Sequence, residues 1–430
     1  MEQITKPHCG ARLDRLPDCR WHSSMFAIVA FGLLVCWSNA VGGLILAQLK
    51  ELGWTDNSTT ATFSAITTAG MFLGALVGGI IGDKTGRRNA FILYEAIHIA
   101  SMVVGAFSPN MDFLIACRFV MGVGLGALLV TLFAGFTEYM PGRNRGTWSS
   151  RVSFIGNWSY PLCSLIAMGL TPLISAEWNW RVQLLIPAIL SLIATALAWR
   201  YFPESPRWLE SRGRYQEAEK VMRSIEEGVI RQTGKPLPPV VIADDGKAPQ
   251  AVPYSALLTG VLLKRVILGS CVLIAMNVVQ YTLINWLPTI FMTQGINLKD
   301  SIVLNTMSMF GAPFGIFIAM LVMDKIPRKT MGVGLLILIA VLGYIYSLQT
   351  SMLLITLIGF FLITFVYMYV CYASAVYVPE IWPTEAKLRG SGLANAVGRI
   401  SGIAAPYAVA VLLSSYGVVA LIPWNMPGLK

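Results

Sequence analysis

Charge is scarce in this chain. Asp, Glu, Lys and Arg make up 13% of its 430 residues, and histidine occurs only 3 times. A soluble domain carries about a quarter charged residues, so an ordinary water-facing surface is excluded. No phosphate-binding glycine loop, nucleotide motif or metal-ligand cluster is present in the sequence, and nothing supports enzyme chemistry, a cofactor or a bound metal. The cysteines Cys9, Cys19, Cys36, Cys117, Cys163, Cys271 and Cys371 imply no disulfide framework, because five of them lie in or beside apolar stretches. His8, Cys9, Cys19 and His22 match no standard zinc spacing. The N-terminal segment lacks the short apolar core and cleavage site of a signal peptide.

What the chain has instead is apolar length. It is 55% hydrophobic, with a mean hydropathy of +0.64. Eleven runs can cross a membrane, near 24–49, 61–82, 89–107, 113–139, 150–173, 182–201, 263–291, 302–323, 330–348, 351–378 and 391–415. Crossing a hydrocarbon core of about 30 Å takes roughly 20 residues. Backbone groups in lipid must bond within their own segment, so an all-α membrane protein is predicted.

The net charge of +10 suggests a polyanion partner only until it is placed on the chain. With the N-terminus in the cytoplasm, the inner side carries 26 Lys and Arg residues and the outer loops carry 3. The positive-inside rule accounts for that asymmetry without nucleic acid. The expected partners are the lipid bilayer, a small solute and, as one option, a proton; a monomer is expected.

The same punctuation occurs twice. Asp83-Lys84-Thr85-Gly86-Arg87-Arg88 and Asp324-Lys325-Ile326-Pro327-Arg328-Lys329 each close an apolar run, 241 residues apart. Glu138-x-x-Pro141 with Arg145-Gly146, and Glu380-x-x-Pro383 with Arg389-Gly390, repeat at an offset of 242. Internal duplication in a membrane protein is the architecture of alternating access. The duplication divides the chain into a cytoplasmic N-terminal segment (1–23), a six-helix bundle (24–201), a cytoplasmic loop with short helices (202–262), a bundle of five spans (263–416) and a tail (417–430). Within the loop, Gly213 to Glu227 has helical composition, with Ala218, Val221, Met222 and Ile225 on one face.

The Gly-x-x-x-Asp-Lys-x-Gly-Arg-Arg run at 79–88 resembles the defining motif of the major facilitator superfamily. Arg118-x-x-x-Gly122-x-Gly124-x-Gly126, Glu138 to Gly146, Pro203-Glu-Ser-Pro-Arg207 and the Pro-Glu-x-x-Pro-Thr run at 379–384 resemble its sugar-porter and metabolite–proton symporter branch. The likeness covers about residues 24–416. It departs at Met320 and Pro327, where the family pattern has glycine, and at the end of the chain, where a twelfth span is expected. Residues 417–430 hold two prolines and are too short for a span, so the last helix reads as missing through truncation.

The resemblance implies a latch on the cytoplasmic side built from Asp83, Arg87, Arg88, Glu138, Arg145, Glu204, Glu380 and Arg389. Arg118, inside the fourth span, needs a partner. In proton-coupled relatives an aspartate on the first span plays that part, and here Ser38 or Asn39 stands in its place. Three outcomes follow: passive transport, a proton carried by Glu95 with His98 one turn away, or Arg118 meeting a carboxylate on the solute. Gln280, Tyr281, Asn285 and Trp286 on the seventh span combine amides and rings suited to a polar solute, and Asn39 and Asn157 can add to them. Helix–helix contact is the alternative use for such amides. Gly122, Gly124 and Gly126 read as close helix packing, Pro161, Pro187, Pro313 and Pro406 as kinks, and Asn57-Ser58-Thr59 as a helix cap.

The function expected is movement of a small polar organic solute by alternating access, with a sugar, sugar acid or polyol favoured. An organic anion, such as an aromatic or other small carboxylate, is the alternative solute. A truncated, non-transporting or sensor-like membrane protein is the alternative class.

Overall fold

The computed structural model describes residues 7–17, 19–35, 40–141, 145–240, 254–293, 296–323, 325–349, 351–382 and 386–416. Among them every regular element is helical. Short α1 (Cys9–Asp14) precedes a first half made of α2 (Arg20–Val35), α3 (Gly42–Glu51), α4 (Asn57–Thr85), α5 (Arg87–Ala106), α6 (Met111–Tyr139), α7 (Arg145–Asn157), α8 (Ser159–Leu170) and α9 (Ala176–Tyr201). The surface segment holds α10 (Pro206–Ser211), α11 (Tyr215–Thr233) and α12 (Tyr254–Leu257). The second half comprises α13 (Gly260–Thr293), α14 (Leu298–Met309), α15 (Gly311–Val322), α16 (Arg328–Ser347), α17 (Met352–Cys371), a π-helical stretch at Tyr372–Tyr377, α18 (Val378–Glu380) and α19 (Lys387–Tyr416). Among the described residues, 8 helical segments are long and apolar enough to cross a membrane.

Proline spacing explains two breaks. α7 stops at Asn157 and α14 at Met309, each four residues before a proline, Pro161 or Pro313. Proline cannot donate to the carbonyl four residues back, and its ring crowds that carbonyl. Pro187, Pro288 and Pro406 are carried inside α9, α13 and α19, which run on through them. The cap expected at 57–59 is supplied one residue earlier: Asp56 accepts from the Thr59 amide at 2.7 Å.

Glycine sets how closely the helices of each half approach. A Cβ on Gly70 would lie 2.3 Å from the Phe119 carbonyl oxygen, and one on Gly74 would lie 2.0 Å from that of Val123. From the other helix, a Cβ on Gly126 would meet the Met71 carbonyl at 2.1 Å. α4 and α6 therefore touch backbone to backbone, the packing that lipid favours because burying apolar side chains gains nothing there. The second half repeats this: Gly311 and Gly315 on α15 face the Phe360 and Thr364 carbonyls of α17 at 2.4 and 2.2 Å. Gly70 and Gly311, like Gly74 and Gly315, are 241 residues apart, so the duplication persists in the contacts.

The basic loops gather at one end of the bundle, here the basic end. The halves close on each other at the opposite end. There Leu298 and Ile302 of α14 pack into a core of α3, α5, α6 and α9 residues. Trp286 is fully buried with Ala61, Val409 and Ala410. Asn305 donates to the Ser164 hydroxyl at 3.2 Å across the same seam. At the basic end, no described ion pair joins the two halves.

Outside the bundle, α1 docks on α11, a contact the sequence did not announce. Cys9, Leu13 and Leu16 bury against Trp208, Leu209, Ala218, Met222, Ile225 and Val229. Arg12 bonds Glu219 and, at 2.7 Å, Glu226, which Arg15 also reaches at 2.6 Å. Burial alone raises a glutamate pKa, but the bonds from Arg12 and Arg15 outweigh it at Glu226, and those from Arg12 and Arg223 do so at Glu219. Both carboxyls therefore sit below their ordinary value. Burial, then Glu210, pushes the Cys9 thiol up to about 12.

Three outcomes are expected. Gly74→Leu destabilises by about 2 kcal/mol or more, because it overpacks a backbone contact, whereas Gly79→Ala, with nothing within 4 Å of its Cβ, leaves the melting temperature in detergent unchanged or higher. Arg12→Ala speeds maleimide labelling of Cys9 by at least about tenfold at neutral pH, because local opening sets the rate. Since Glu219 and Glu226 titrate below their unfolded values, docking is complete above the usual glutamate range. It is lost as pH falls through the depressed values, which amide-exchange protection in α1 reads directly.

Candidate functional site

Gly86 makes the turn from α4 to α5 at φ +96, a conformation L side chains avoid. Its missing Cβ is also where Glu204 fits, since a Cβ would lie 2.3 Å from Glu204 Oε2. From there Glu204 Oε1 accepts from the amides of Arg87 at 2.7 Å and Arg88 at 3.2 Å. Those first-turn N–H groups have no partner inside the helix, and a carboxylate suits the positive end of its dipole.

The Arg87 guanidinium then binds Glu138 at 2.9 Å and Asp83 at 2.7 Å, while the Ser205 hydroxyl donates to Glu138. Trp208 Nε1 and Arg212 donate to the Asp83 carbonyl at 2.7 and 2.5 Å, closing the C-terminus of α4. Arg88 reaches the Trp199 carbonyl at 2.5 Å. Asp83, Arg87, Arg88, Glu138 and Glu204 thus form one network.

In the second half, Arg328 grips both Glu380 oxygens at 2.9 and 3.0 Å. Arg87 and Arg328 are 241 residues apart, and Glu138 and Glu380 are 242 apart, so the same pair forms twice. Arg328 was not singled out from sequence, though the repeat offset points to it. Asp324 and the side chains of Arg145 and Arg389 lie outside the described residues.

Midway along the bundle the two halves face each other with aromatic groups. The breaks in α7/α8 and α14/α15 meet: Trp158 lies 6.3 Å from Phe310, ring to ring. Tyr160 packs edge-on against Tyr367 at 5.4 Å. The Gln280 amide and Tyr160 phenol adjoin Tyr367, yet its buried hydroxyl makes no well-formed hydrogen bond. Tyr281 packs its ring on Gly402 of α19, next to Thr68 of the first half. Gln280 and Tyr281 are therefore at the seam.

Other expected residues lie elsewhere. Trp286 is part of the closed end. Asn157 donates back to the Ser153 carbonyl of its own helix at 2.8 Å. Asn39 and the side chain of Asn285 lie outside the described residues.

Arg118 is 1% exposed, inside the first half. Its Nε donates to Thr67 at 3.2 Å, and its guanidinium contacts Met121 and lies over Phe63 at 4.6 Å. These described neighbours belong to α4 and α6 of the first half. Glu95 and His98 are fully buried and 3.6 Å apart, also within the first half. Gly124 admits them by letting its Cα approach the His98 backbone, where a Cβ would lie 3.0 Å from the amide. Two seam residues were missed from sequence. Tyr367 gave no signal within its apolar run. Arg399 did, as a lone charge in the middle of α19.

Residues 26–406 match the model of the family described as Major Facilitator Superfamily. The chain belongs to the major facilitator superfamily. It is 44% identical over 424 residues to the inner membrane metabolite transport protein YdjE of Escherichia coli, covering 98% of this chain and 92% of that one. It is 24% identical to the niacin transporter NiaP of Acinetobacter baylyi, over 94% and 90% of the two chains. Among solved structures, the inward-open xylose transporter XylE from E. coli superposes with a TM-score of 0.70 at 17% identity, covering 93% of this chain and 92% of that one. A crystal structure of a D-xylose–proton symporter gives 0.69 at 18% identity, over 93% of this chain and 92% of that one. At such identities these two establish the fold. The family makes the chain a multi-pass membrane transporter of small solutes and not an enzyme.

The turn at Gly86 is testable. Gly86→Ala puts a side chain at φ +96 and ψ 163, a region open essentially to glycine alone, at a strain of about 1–3 kcal/mol, and also displaces Glu204 from α5. Gly213→Ala, at φ +72 with nothing within 4 Å, incurs the strain alone. Thermal melts should place Gly86→Ala well below Gly213→Ala.

Proposed function

We propose that the transporter carries a small polar organic solute, a sugar, sugar acid, polyol or small organic acid, by rocking its two halves about the seam. The observation that carries this reading is the asymmetry of that seam. The halves are sealed at one end by Trp286, Leu298 and Ile302, and joined by no described ion pair at the basic end. The broken helices face each other between those ends. Discontinuous helices at mid-depth are a recurrent way to build a transporter site. The basic loops belong in the cytoplasm by the positive-inside rule, which puts the N-terminus there and makes this conformation inward-facing. A bacterial inner membrane is the natural setting, as for the E. coli relative.

Asp83, Arg87, Arg88, Glu138 and Glu204 act as the gate assembly: they hold the basic end of the first half as one rigid piece. Glu95 with His98 is the candidate for carrying a proton, being the described carboxylate–imidazole pair buried within the spans. Passive transport is the competing reading, and it is favoured by the neutral stretch at Ser38 and Asn39 on the first span.

Reconstitution of the chain into vesicles, loaded with candidate solutes, tests the reading. Uptake of one solute class with saturation supports it; absence of flux for every class favours a non-transporting role. Arg87→Ala should slow exchange by about an order of magnitude while changing solute affinity less than about twofold. Equal losses in both would remove the separation of gate from site. Glu95→Gln should abolish pH-driven accumulation but spare exchange if the pair carries the proton.

A further inference from the structure

Most charge on the spans sits at their ends. Within the described spans, the charges in mid-helix are Glu95, Arg118 and Arg399. Glu95 and Arg118 are enclosed in the first half, as described above. Arg399 is different: it is partly exposed, and no hydrogen bond, ion pair or ring contact to a described residue holds its guanidinium.

Its position is central. It is the thirteenth residue of a 30-residue helix, about 18 Å along the axis from Lys387 at 1.5 Å per residue. An arginine side chain spans less than half that distance, so it cannot snorkel to the headgroups at the basic end. Nor does it face lipid. The outward stripe of α19 is Ile400, Tyr407 and Val411, which are 56%, 43% and 62% exposed. At 100° per residue, Arg399 lies on the same side as Asn395 and Ala410, and Ala410 packs against Ala61 of the first half. The helix turns around it make contacts that locate it further. Gly398 lets the Asn277 amide within 3.0 Å of its Cβ position, and Gly402 takes the Tyr281 ring on one side and Thr68 on the other. Arg399 therefore stands at the seam, one turn from Asn395 and beside the Asn277–Gln280–Tyr281 face of α13.

We infer that Arg399 is the anion anchor of the transport site, and that the solute carries a carboxylate gripped by this guanidinium while its uncharged body lies against Tyr281, Gln280, Tyr160 and Tyr367. This rests on the transport reading above and narrows it to organic acids. An unpaired charge at mid-depth is costly, and such residues normally serve a ligand or a partner. Arginine suits a carboxylate because its planar fork donates two parallel hydrogen bonds, which a lysine point charge does not. Facing elements reinforce the preference. The described parts of α3, α4, α8, α13 and α17 bring no carboxylate to mid-depth, and Lys264 and Arg265 stand at the basic-end start of α13, where an anion would be drawn in. The aromatic groups supply flat surface for the body of the acid, and the Tyr367 hydroxyl beside them supplies a donor.

The test uses matched pairs on the purified full-length chain in detergent: nicotinate with nicotinamide, benzoate with benzamide, gluconate with sorbitol. Ligand binding raises the melting temperature according to concentration over Kd. The expected result is stabilisation by at least one acid, at about tenfold or more lower concentration than its neutral partner. Arg399→Gln should weaken that acid by about thirtyfold or more, and leave the neutral partner unchanged. Arg399→Lys should recover part of the loss. If Arg399→Gln does not purify folded, phenylglyoxal modification of Arg399 in the unaltered chain should be slowed by the acid and not by its neutral partner. Equal stabilisation by acid and neutral analogue, or an acid preference that survives Arg399→Gln, overturns the anchor and leaves the transport reading standing. No stabilisation by any of the six compounds also overturns the anchor; the vesicle flux assay then decides the transport reading by itself.

Discussion

Backbone-to-backbone contact between α4 and α6, and between α15 and α17, is the constraint on which the rest of this structure depends. In lipid, apolar side chains gain nothing by leaving one hydrocarbon environment for another, so helix association relies on close packing and polar contacts. Gly70, Gly74, Gly122 and Gly126 let the first pair interlock, and Gly311 and Gly315 do the same for the second. Each half becomes a rigid body. Rigid bodies with one seam between them can rock without rebuilding their interiors, and alternating access needs that.

The polar networks follow from that rigidity. At the basic end, Glu204 caps α5 through the space left by Gly86, and Arg87 ties Asp83 to Glu138. Trp208 and Arg212 carry the network onto the surface helices, against which α1 is docked by Arg12 and Arg15. The chain from α1 through α11 and α10 to the α4–α5 turn is continuous. In the second half the corresponding described bond is the Arg328–Glu380 pair, without a described counterpart of the docked helices.

Duplication has preserved scaffolding more faithfully than chemistry. The facing glycines Gly70/Gly311 and Gly74/Gly315 and the Arg–Glu pairs keep an offset of 241 or 242 residues. The mid-depth charges do not. At the positions equivalent to Glu95 and Arg118 the second half has Leu336 and Gly359, and Arg399 has no charged counterpart near 158. One half thus encloses its ionisable groups in its interior, and the other presents a cation to the seam.

The sequence alone determined what depends on local composition and periodicity. Span lengths, the clustering of basic residues at one end, the amphipathic face of α11 and the positions of the breaks before Pro161 and Pro313 are of this kind, because each is set by residues within a few turns. The ion-pair network at the basic end was legible as well, through a motif whose members recur in order. Tertiary structure decided the partners. Arg118 is enclosed by Phe63 and Thr67 from a helix about fifty residues away in sequence, Glu204 reaches a helix start more than a hundred residues before it, and Tyr160 meets Tyr367 across the seam. An apolar helix in lipid has little amphipathic pattern to say which side faces a neighbour and which faces the solute path. Packing supplies that orientation, and with it the difference between Arg118, sealed in a wall, and Arg399, standing at the seam.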